Sequence, residues 1–200
     1  FPLDIKNETE IKNIFQNIVE KFNTVDIAVF CTGIHDPDAE KKLSSEKIRE
    51  IMETNFFGTL NCIMAVDNYF RDKKTGHISI VSSVAGYRGL PAAAGYCASK
   101  SALTSLAESL YFDFKRHNVR VSLVSPGFIK TPMTDKNKFP MPMIKSAEFA
   151  AEKMFIGLTK KNAFEIHFPI AFTIIMKLLK IMPNWLYFLL VKKGMKTIKY

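Results

Sequence analysis

The chain has 200 residues, 48% of them hydrophobic and 12% aromatic, which suffices for one compact domain with a core but not for two. Its three cysteines are widely spaced and its four histidines are scattered, which argues against a disulfide framework, a thiolate zinc site or any other metal site. The net charge of +9 is uneven, because nine lysines and only two acidic residues lie between Ala151 and Tyr200.

The first part of the sequence predicts a helix, a buried strand and a second, longer helix. Apolar residues recur at helical spacing over residues 11–22, after a cap-like segment at 7–10. The apolar run at 26–31 is typical of a buried strand. Residues 44–47 are typical of a helix start, and the helix they begin is expected to end at Thr75 and Gly76.

The second part continues the alternation of strands and helices. The pattern predicts strands at 77–82, 119–124 and 163–168, helices at 94–117 and 146–158, and a proline-containing loop at 130–142. Strands that are apolar at nearly every position are buried on both faces. The predicted fold class is therefore α/β, a doubly wound parallel sheet with helices on both faces.

Tyr96 and Lys100 are the first candidates for chemistry. They lie four residues apart in a predicted helix and so share one face. A free tyrosine has a pKa of about 10, and a nearby ammonium group stabilises its phenolate and moves the pKa towards neutrality. The pair can therefore act as an acid and base, although this spacing also occurs by chance in many helices.

The surroundings of this pair resemble a known family. Ser83 follows the strand at 77–82 and precedes Val-Ala-Gly, while Pro-Gly at 126–127 and then Thr131 follow the strand at 119–124. Open parallel sheets bind ligands at these carboxyl ends of strands. The order strand, Ser, Tyr, Lys, strand, Pro-Gly resembles the short-chain dehydrogenase/reductase family over nearly the whole chain up to Ala163, which implies a Rossmann-like sheet.

The resemblance implies four catalytic residues, Asn55, Ser83, Tyr96 and Lys100. Tyr96 would exchange a proton with a carbonyl or alcohol group whose oxygen Ser83 holds. Lys100 would lower the tyrosine pKa and bind the nicotinamide ribose, and Asn55 would hold a proton-relay water. Ser82 is the alternative to Ser83, and we expect it to be structural.

The resemblance also implies a cofactor, NADP or NAD, with NADP slightly favoured. The residues that would bind it are Asp4, Gly33, Tyr96, Lys100, Pro126, Gly127 and Thr131. Asp4 would contact the adenine, although a solvated acid is an equal alternative. Gly33 would let the backbone approach the ribose, and Thr131 would reach the carboxamide. The family's N-N-A-G turn reads Phe-Cys-Thr-Gly here.

The family's glycine-rich phosphate loop, T-G-x-x-x-G-x-G, does not occur in this sequence. The residue that selects NAD or NADP belongs to the same region of the family. We therefore expect an N-terminally truncated domain in which the strand at 26–31 forms a sheet edge. The intact gene product would be longer, or the chain would be a damaged or specialised relative.

Residues 164–200 are predicted to be an apolar and basic helical extension of the domain formed by residues 1–163. The uncharged stretches at 166–176 and 181–191 are shorter than the roughly 20 residues of a spanning helix. We expect helices that lie in a membrane interface or cover an apolar pocket, with a buried helix pair or a dimer contact as the alternative. The lysines favour an anionic membrane surface over nucleic acid.

The functional prediction is an NAD(P)-dependent oxidoreductase that transfers hydride between nicotinamide and a carbonyl or alcohol carbon. Its partners would be a small apolar substrate, a membrane surface contacted peripherally and a second copy in a homodimer or homotetramer. The expected location is cytoplasmic, peripheral at the membrane. The alternative is a catalytically inactive fragment or a membrane-associated interaction module.

Overall fold

A computed structural model describes residues 1–137 and 139–196 of the protein. Of the C-terminal lysines, Lys199 lies outside the described residues. Four parallel strands form one sheet in the order β1, β2, β3, β4: Ile27–Phe30, His77–Val81, Arg120–Pro126 and Glu165–Phe168. The register pairs Ile27 with His77, Ile78 with Val121 and Leu123 with Glu165. The predicted boundary at residue 163 therefore falls just before a strand of the sheet.

Eight helices are described between and after the strands: α1 Glu8–Phe22, α2 Pro37–Glu40, α3 Ser45–Met52, α4 Gly58–Lys73, α5 Ala94–Lys115, α6 Ala147–Lys160, α7 Ile170–Ile181 and α8 Asn184–Lys196. Side chains cap several of them. Asn7 accepts a hydrogen bond from the Glu10 amide, and Ser44 accepts one from the Lys47 amide.

The long predicted helix is interrupted in its middle. A π-helical turn at Glu53–Phe57 joins α3 to α4, and Thr59 Oγ1 donates to the Asn55 carbonyl over 2.8 Å. A π turn widens the helix by one residue, and such turns are frequent at functional sites. Apolar periodicity cannot reveal one extra residue in a long helix. The short helix α2 was also not predicted, because four residues are too few to establish a period.

The main core lies between the sheet and helices α4 and α5. Its centre consists of side chains that are 0–4% exposed: Ile63, Val66, Phe70, Ile78, Ile80, Leu103, Phe114 and Leu123. The chain reverses before β2 at Gly76, whose φ of 136° is strained for any residue with a side chain. This turn places the Phe70 ring directly over Gly76, so the core and the turn depend on each other.

Strand β1 is an edge of the sheet among the described residues, in line with the expectation for residues 26–31. Ile27 and Val29 are each 39% exposed on one of its faces. An apolar groove of about 380 Å³ runs beside the strand and is lined in part by Ile11 and Phe15 of α1.

We predict that Gly76→Ala destabilises the protein by about 2 to 3 kcal/mol. An added Cβ would lie 2.2 Å from Phe70 Cδ1, and the alanine would have to adopt a positive φ. Gly89→Ala is the matched control, because no atom lies within 4 Å of its added Cβ, and we expect a change of less than about 0.5 kcal/mol. Urea unfolding of the two variants checks this, and equal midpoints would contradict it.

Candidate active site

The carboxyl ends of β2 and β3 border a cavity of about 250 Å³. Ser83 follows β2, Gly127 follows β3, and Tyr96 enters from the first turn of α5. Three predicted site residues thus share one cavity wall, although they are far apart in the sequence. The remaining lining is mainly apolar and includes Val84, Leu90, Phe128, Phe139, Phe172 and Met176.

Lys100 lies behind this wall and is only 3% exposed. Its Nζ donates a hydrogen bond to the Val81 carbonyl over 3.0 Å and lies 5.7 Å from the centroid of the Tyr96 ring. Ser82 points into the interior, where its Oγ donates to the Lys100 carbonyl over 2.8 Å. Ser82 therefore stabilises helix α5 against β2, while Ser83 is the serine that faces the cavity.

Burial is the main cause of the pKa shifts of Tyr96 and Lys100. Loss of hydration raises the pKa of Tyr96 to about 12, and the Ser83 hydroxyl opposes this rise by hydrogen bonding. Burial also lowers the pKa of Lys100 to about 8. In this structure the pKa of Tyr96 is therefore raised by burial, and the lowering expected from Lys100 is not observed. Helical spacing identifies a neighbouring charge but carries no information on the cost of removing water from the phenolate.

Asn55 lies in the π turn and is completely buried. Its Oδ1 accepts from the Ile34 amide over 2.7 Å, and its Nδ2 donates to the Ile34 carbonyl and to Ser99 Oγ, each over 3.0 Å. Both amide hydrogens are therefore bound by protein acceptors. Asn55 joins the loop after β1 to helix α5, and its predicted contact with a relay water stays a prediction.

Gly33 lies where this loop passes closest to the buried lysine. A Cβ at this position would come within 3.3 Å of Lys100 Nζ and 3.4 Å of Asn55 Oδ1. Gly33 thus lies close to the side chains of Lys100 and Asn55, and its predicted approach to the ribose stays a prediction.

The segment after β3 contains Pro126, Gly127 and Thr131. Pro126 is the last residue of β3, and the Gly127 amide donates to the Phe168 carbonyl over 2.7 Å. Gly127 and Thr134 line the cavity, whereas Thr131 turns to Thr134, with 3.3 Å between their hydroxyl oxygens. Thr131 and Thr134 form one hydroxyl cluster, of which the sequence singled out only the first member.

Asp4 is separate from these residues. It is exposed in a turn before α1, where its Oδ1 accepts from the Lys6 amide over 3.0 Å. Among residues 1–137 and 139–196, no hydrogen bond or ion pair joins it to Tyr96, Lys100 or Gly33. In this structure Asp4 has the geometry of a solvated acid. Its predicted contact with adenine stays a prediction.

Two parts of the cavity lining were not predicted from the sequence as site residues. His35 stacks on the ring of Tyr96, with 4.4 Å between the centroids, and it is held by Glu40 of α2. Phe172 and Met176 of α7 close the opposite side. The apolar tail gave a signal for α7, since a pocket cover was among its predicted roles. Nothing near His35 in the sequence points to Tyr96.

The residues present fit the nicotinamide and ribose end of a dinucleotide. A ribose needs hydrogen-bonding groups and close backbone approach, which the Tyr96 hydroxyl, the Lys100 ammonium and Gly33 supply together. Gly127 and the hydroxyls of Thr131 and Thr134 supply a polar edge beside the cavity. This donor set is suited to hold the reactive end of the cofactor.

Comparison with known proteins identifies the family of the chain. Residues 1–140 match the family model described as short chain dehydrogenase. The chain is similar to an uncharacterised oxidoreductase of Myxococcus xanthus, with 36% identity over 163 residues, which cover 82% of this chain and 64% of that protein.

Two solved structures are similar to this fold. A short-chain dehydrogenase from Burkholderia cenocepacia in complex with NADP has a TM-score of 0.74 at 26% identity, covering 87% of this chain and 72% of its own. One from Mycobacterium paratuberculosis bound to NAD has a TM-score of 0.71 at 25% identity, covering 82% and 70%. The predicted Rossmann-like fold class is confirmed. The chain spans about half to two thirds of the length of the curated relatives it matches.

We predict that Lys100→Met stabilises the fold at pH 7, by roughly 3 kcal/mol, because a buried ammonium is replaced by an apolar side chain of similar length. The lysine has a pKa of about 8 in the fold against 10.5 when hydrated. The unfolded state therefore binds more protons between these values, and wild-type stability rises with pH in that window.

The gain from Lys100→Met should accordingly be full below pH 8 and disappear as the pH approaches 10.5. Urea unfolding of wild type and variant at pH 7 and pH 10 measures it. A gain that does not change with pH would contradict the assignment of the cost to this ammonium.

Proposed function

The chain belongs to the short-chain dehydrogenase family, and we propose that it serves as an NAD(P)-dependent oxidoreductase acting on a carbonyl or alcohol group. The observation that carries the proposal is the shared cavity, with the Tyr96 and Ser83 hydroxyls on one wall and the Lys100 ammonium buried behind them. The cofactor, when bound, supplies or accepts the hydride at its nicotinamide.

The protein's own residues would manage the oxygen of the substrate. With a pKa of about 12, Tyr96 carries its proton at neutral pH and can donate it to a carbonyl oxygen as negative charge develops there. Ser83 donates a hydrogen bond to the same oxygen and orients it. The ammonium of Lys100 stabilises the phenolate that remains, and in the oxidative direction this Tyr96 phenolate accepts the proton of the alcohol.

We propose an apolar substrate, because the cavity beyond the hydroxyl groups is lined by hydrocarbon and aromatic side chains. Phe128, Phe172 and Met176 form one continuous apolar wall with Val84 and Leu90. A polyhydroxylated substrate would lose its hydration there without replacement hydrogen bonds, which is costly. An acyl, sterol or sphingoid carbonyl compound would instead gain from burial.

We expect Tyr96→Phe to reduce turnover on the order of a thousandfold, because the proton donor is lost while the ring and its packing remain. Dissociation constants for NADPH and NADH should change by less than about fivefold, since Lys100 and Gly33 are kept. Steady-state kinetics and fluorescence titration measure both. Substantial turnover in the Tyr96→Phe variant would refute the proposed role of this residue.

The rival reading is a non-catalytic module that keeps these residues by descent. Titration of the 200-residue chain with NADPH and NADH separates the two proposals. The oxidoreductase proposal requires saturable binding at micromolar levels, and the rival requires none. The same titration decides which cofactor is preferred.

A second proposal concerns the outer face of α7 and α8, which we call the tail face. Its apolar side chains are 45–79% exposed: Ile170, Ile174, Ile175, Leu178, Ile181, Trp185, Phe188 and Leu189. Lys180, Lys192 and Lys193 are exposed on the same two helices. We propose that the tail face binds an anionic lipid surface peripherally, in the cytoplasm, because apolar and cationic groups together match such a surface. In the described residues, no helix is long and apolar enough to cross a membrane.

We expect Leu178→Asn to weaken binding to vesicles of phosphatidylserine and phosphatidylcholine about tenfold. Phe155→Asn is the matched control, because Phe155 is 61% exposed on α6 and Leu178 is 56% exposed on α7. Sedimentation with vesicles measures the difference. Equal losses of vesicle binding in the two variants would contradict the tail face as the lipid-binding surface. Dimers that light scattering detects and that Leu178→Asn alone dissociates would instead make a second copy of the chain its partner.

A further inference from the structure

Helix α5 begins without a cap from its own sequence. The residue before it, Ala93, has no side-chain oxygen to accept hydrogen bonds from the first amides. Glu40 supplies that cap from 55 residues away. Its Oε2 accepts from the Gly95 amide over 2.7 Å and from the Tyr96 amide over 3.2 Å. A carboxylate is favourable at this position, since it also interacts with the positive end of the helix dipole.

The other oxygen of Glu40 holds His35. Its Oε1 lies 2.8 Å from His35 Nδ1, and the two side chains are only 2% and 11% exposed. An ionised carboxylate can only accept hydrogen bonds, so this contact requires a proton on His35 Nδ1. The hydrogen bond then orients the plane of the imidazole ring.

The imidazole ring in turn covers Tyr96. The centroids are 4.4 Å apart and the planes are tilted by 32°, so that one face of the phenol ring is occupied by His35. His35 also lines the cavity that contains Ser83 and Tyr96. One carboxylate thus positions the backbone of Tyr96 through its amide and the side chain of Tyr96 through a stacked ring.

We propose that Glu40 and His35 form a positioning pair that orients the Tyr96 hydroxyl for proton transfer. The proposal rests on the proposed function of Tyr96 and adds two residues to it. Proton transfer requires the hydroxyl within hydrogen-bond reach of the substrate oxygen, and a displacement of about 1 Å can reduce a rate a hundredfold. The pair acts through Tyr96 and does not itself exchange the proton.

The first test is kinetic. His35→Ala should lower kcat between about tenfold and a hundredfold, because the Tyr96 ring is no longer held by a stacked ring. KM should change less than about threefold, because the rest of the cavity lining is kept. His35→Phe keeps a stacking ring and should recover most of the loss. His117→Ala is the control, because His117 lies beyond the other end of α5, and it should leave kcat unchanged.

The second test needs no turnover. In proton and nitrogen NMR, wild-type His35 should show the Nδ1-protonated tautomer, and Glu40→Gln should shift its nitrogen signals. The Tyr96 ring protons, assigned by their loss in Tyr96→Phe, should move in His35→Ala and not in His117→Ala. Unchanged chemical shifts of the Tyr96 ring protons in His35→Ala would overturn the proposed positioning role. Wild-type kcat in His35→Ala, with Tyr96→Phe inactive, would overturn it as well. Turnover that survives in Tyr96→Phe would instead overturn the proposed function.

Discussion

The burial of one ammonium group is the constraint on which the site depends. Lys100 is 3% exposed, and its Nζ donates to the Val81 carbonyl at the end of β2. An ion in such surroundings is costly unless neighbouring groups accept its hydrogens and approach closely. The Val81 carbonyl accepts one hydrogen, and the loop after β1 approaches closely because a glycine lies at the point of contact, while Asn55 holds that loop in place. The π turn, the loop and helix α5 are therefore parts of one arrangement around a charge.

The same arrangement assigns different duties to similar residues. Ser82 and Ser83 are adjacent, yet one is an interior partner of the Lys100 carbonyl and the other faces the cavity. Successive residues at the end of a strand point to opposite sides, so only one of them can serve a ligand. One dipeptide thus supplies one hydroxyl group to the interior and one to the cavity.

Sequence reasoning succeeded where the signal is local. Strand β2 and the position of Tyr96 and Lys100 on one helix follow from apolar runs and four-residue spacing, and the structure places Ser83 and Gly127 with them. Sequence reasoning failed where a feature depends on residues far apart in the sequence or on the combined effect of many surrounding groups. The contact between Glu40 and the Gly95 amide joins residues 55 positions apart. The pKa of Tyr96 follows from lost hydration, which no spacing encodes. The extra residue of the π turn is invisible to a helical period.

The side chain of Arg88 has a consequence for how the tail and the cavity influence each other. Its guanidinium donates to the carbonyls of Leu179 and Met182 at the end of α7 and lies 4.0 Å from the centroid of the Tyr187 ring in α8. Arg88 stands five residues after Ser83, so a single short segment bears both a hydroxyl group that lines the cavity and the anchor of the tail. Any coupling through that segment is reciprocal by thermodynamic linkage. The factor by which a surface bound to α8 changes the affinity for substrate equals the factor by which substrate changes the affinity for that surface.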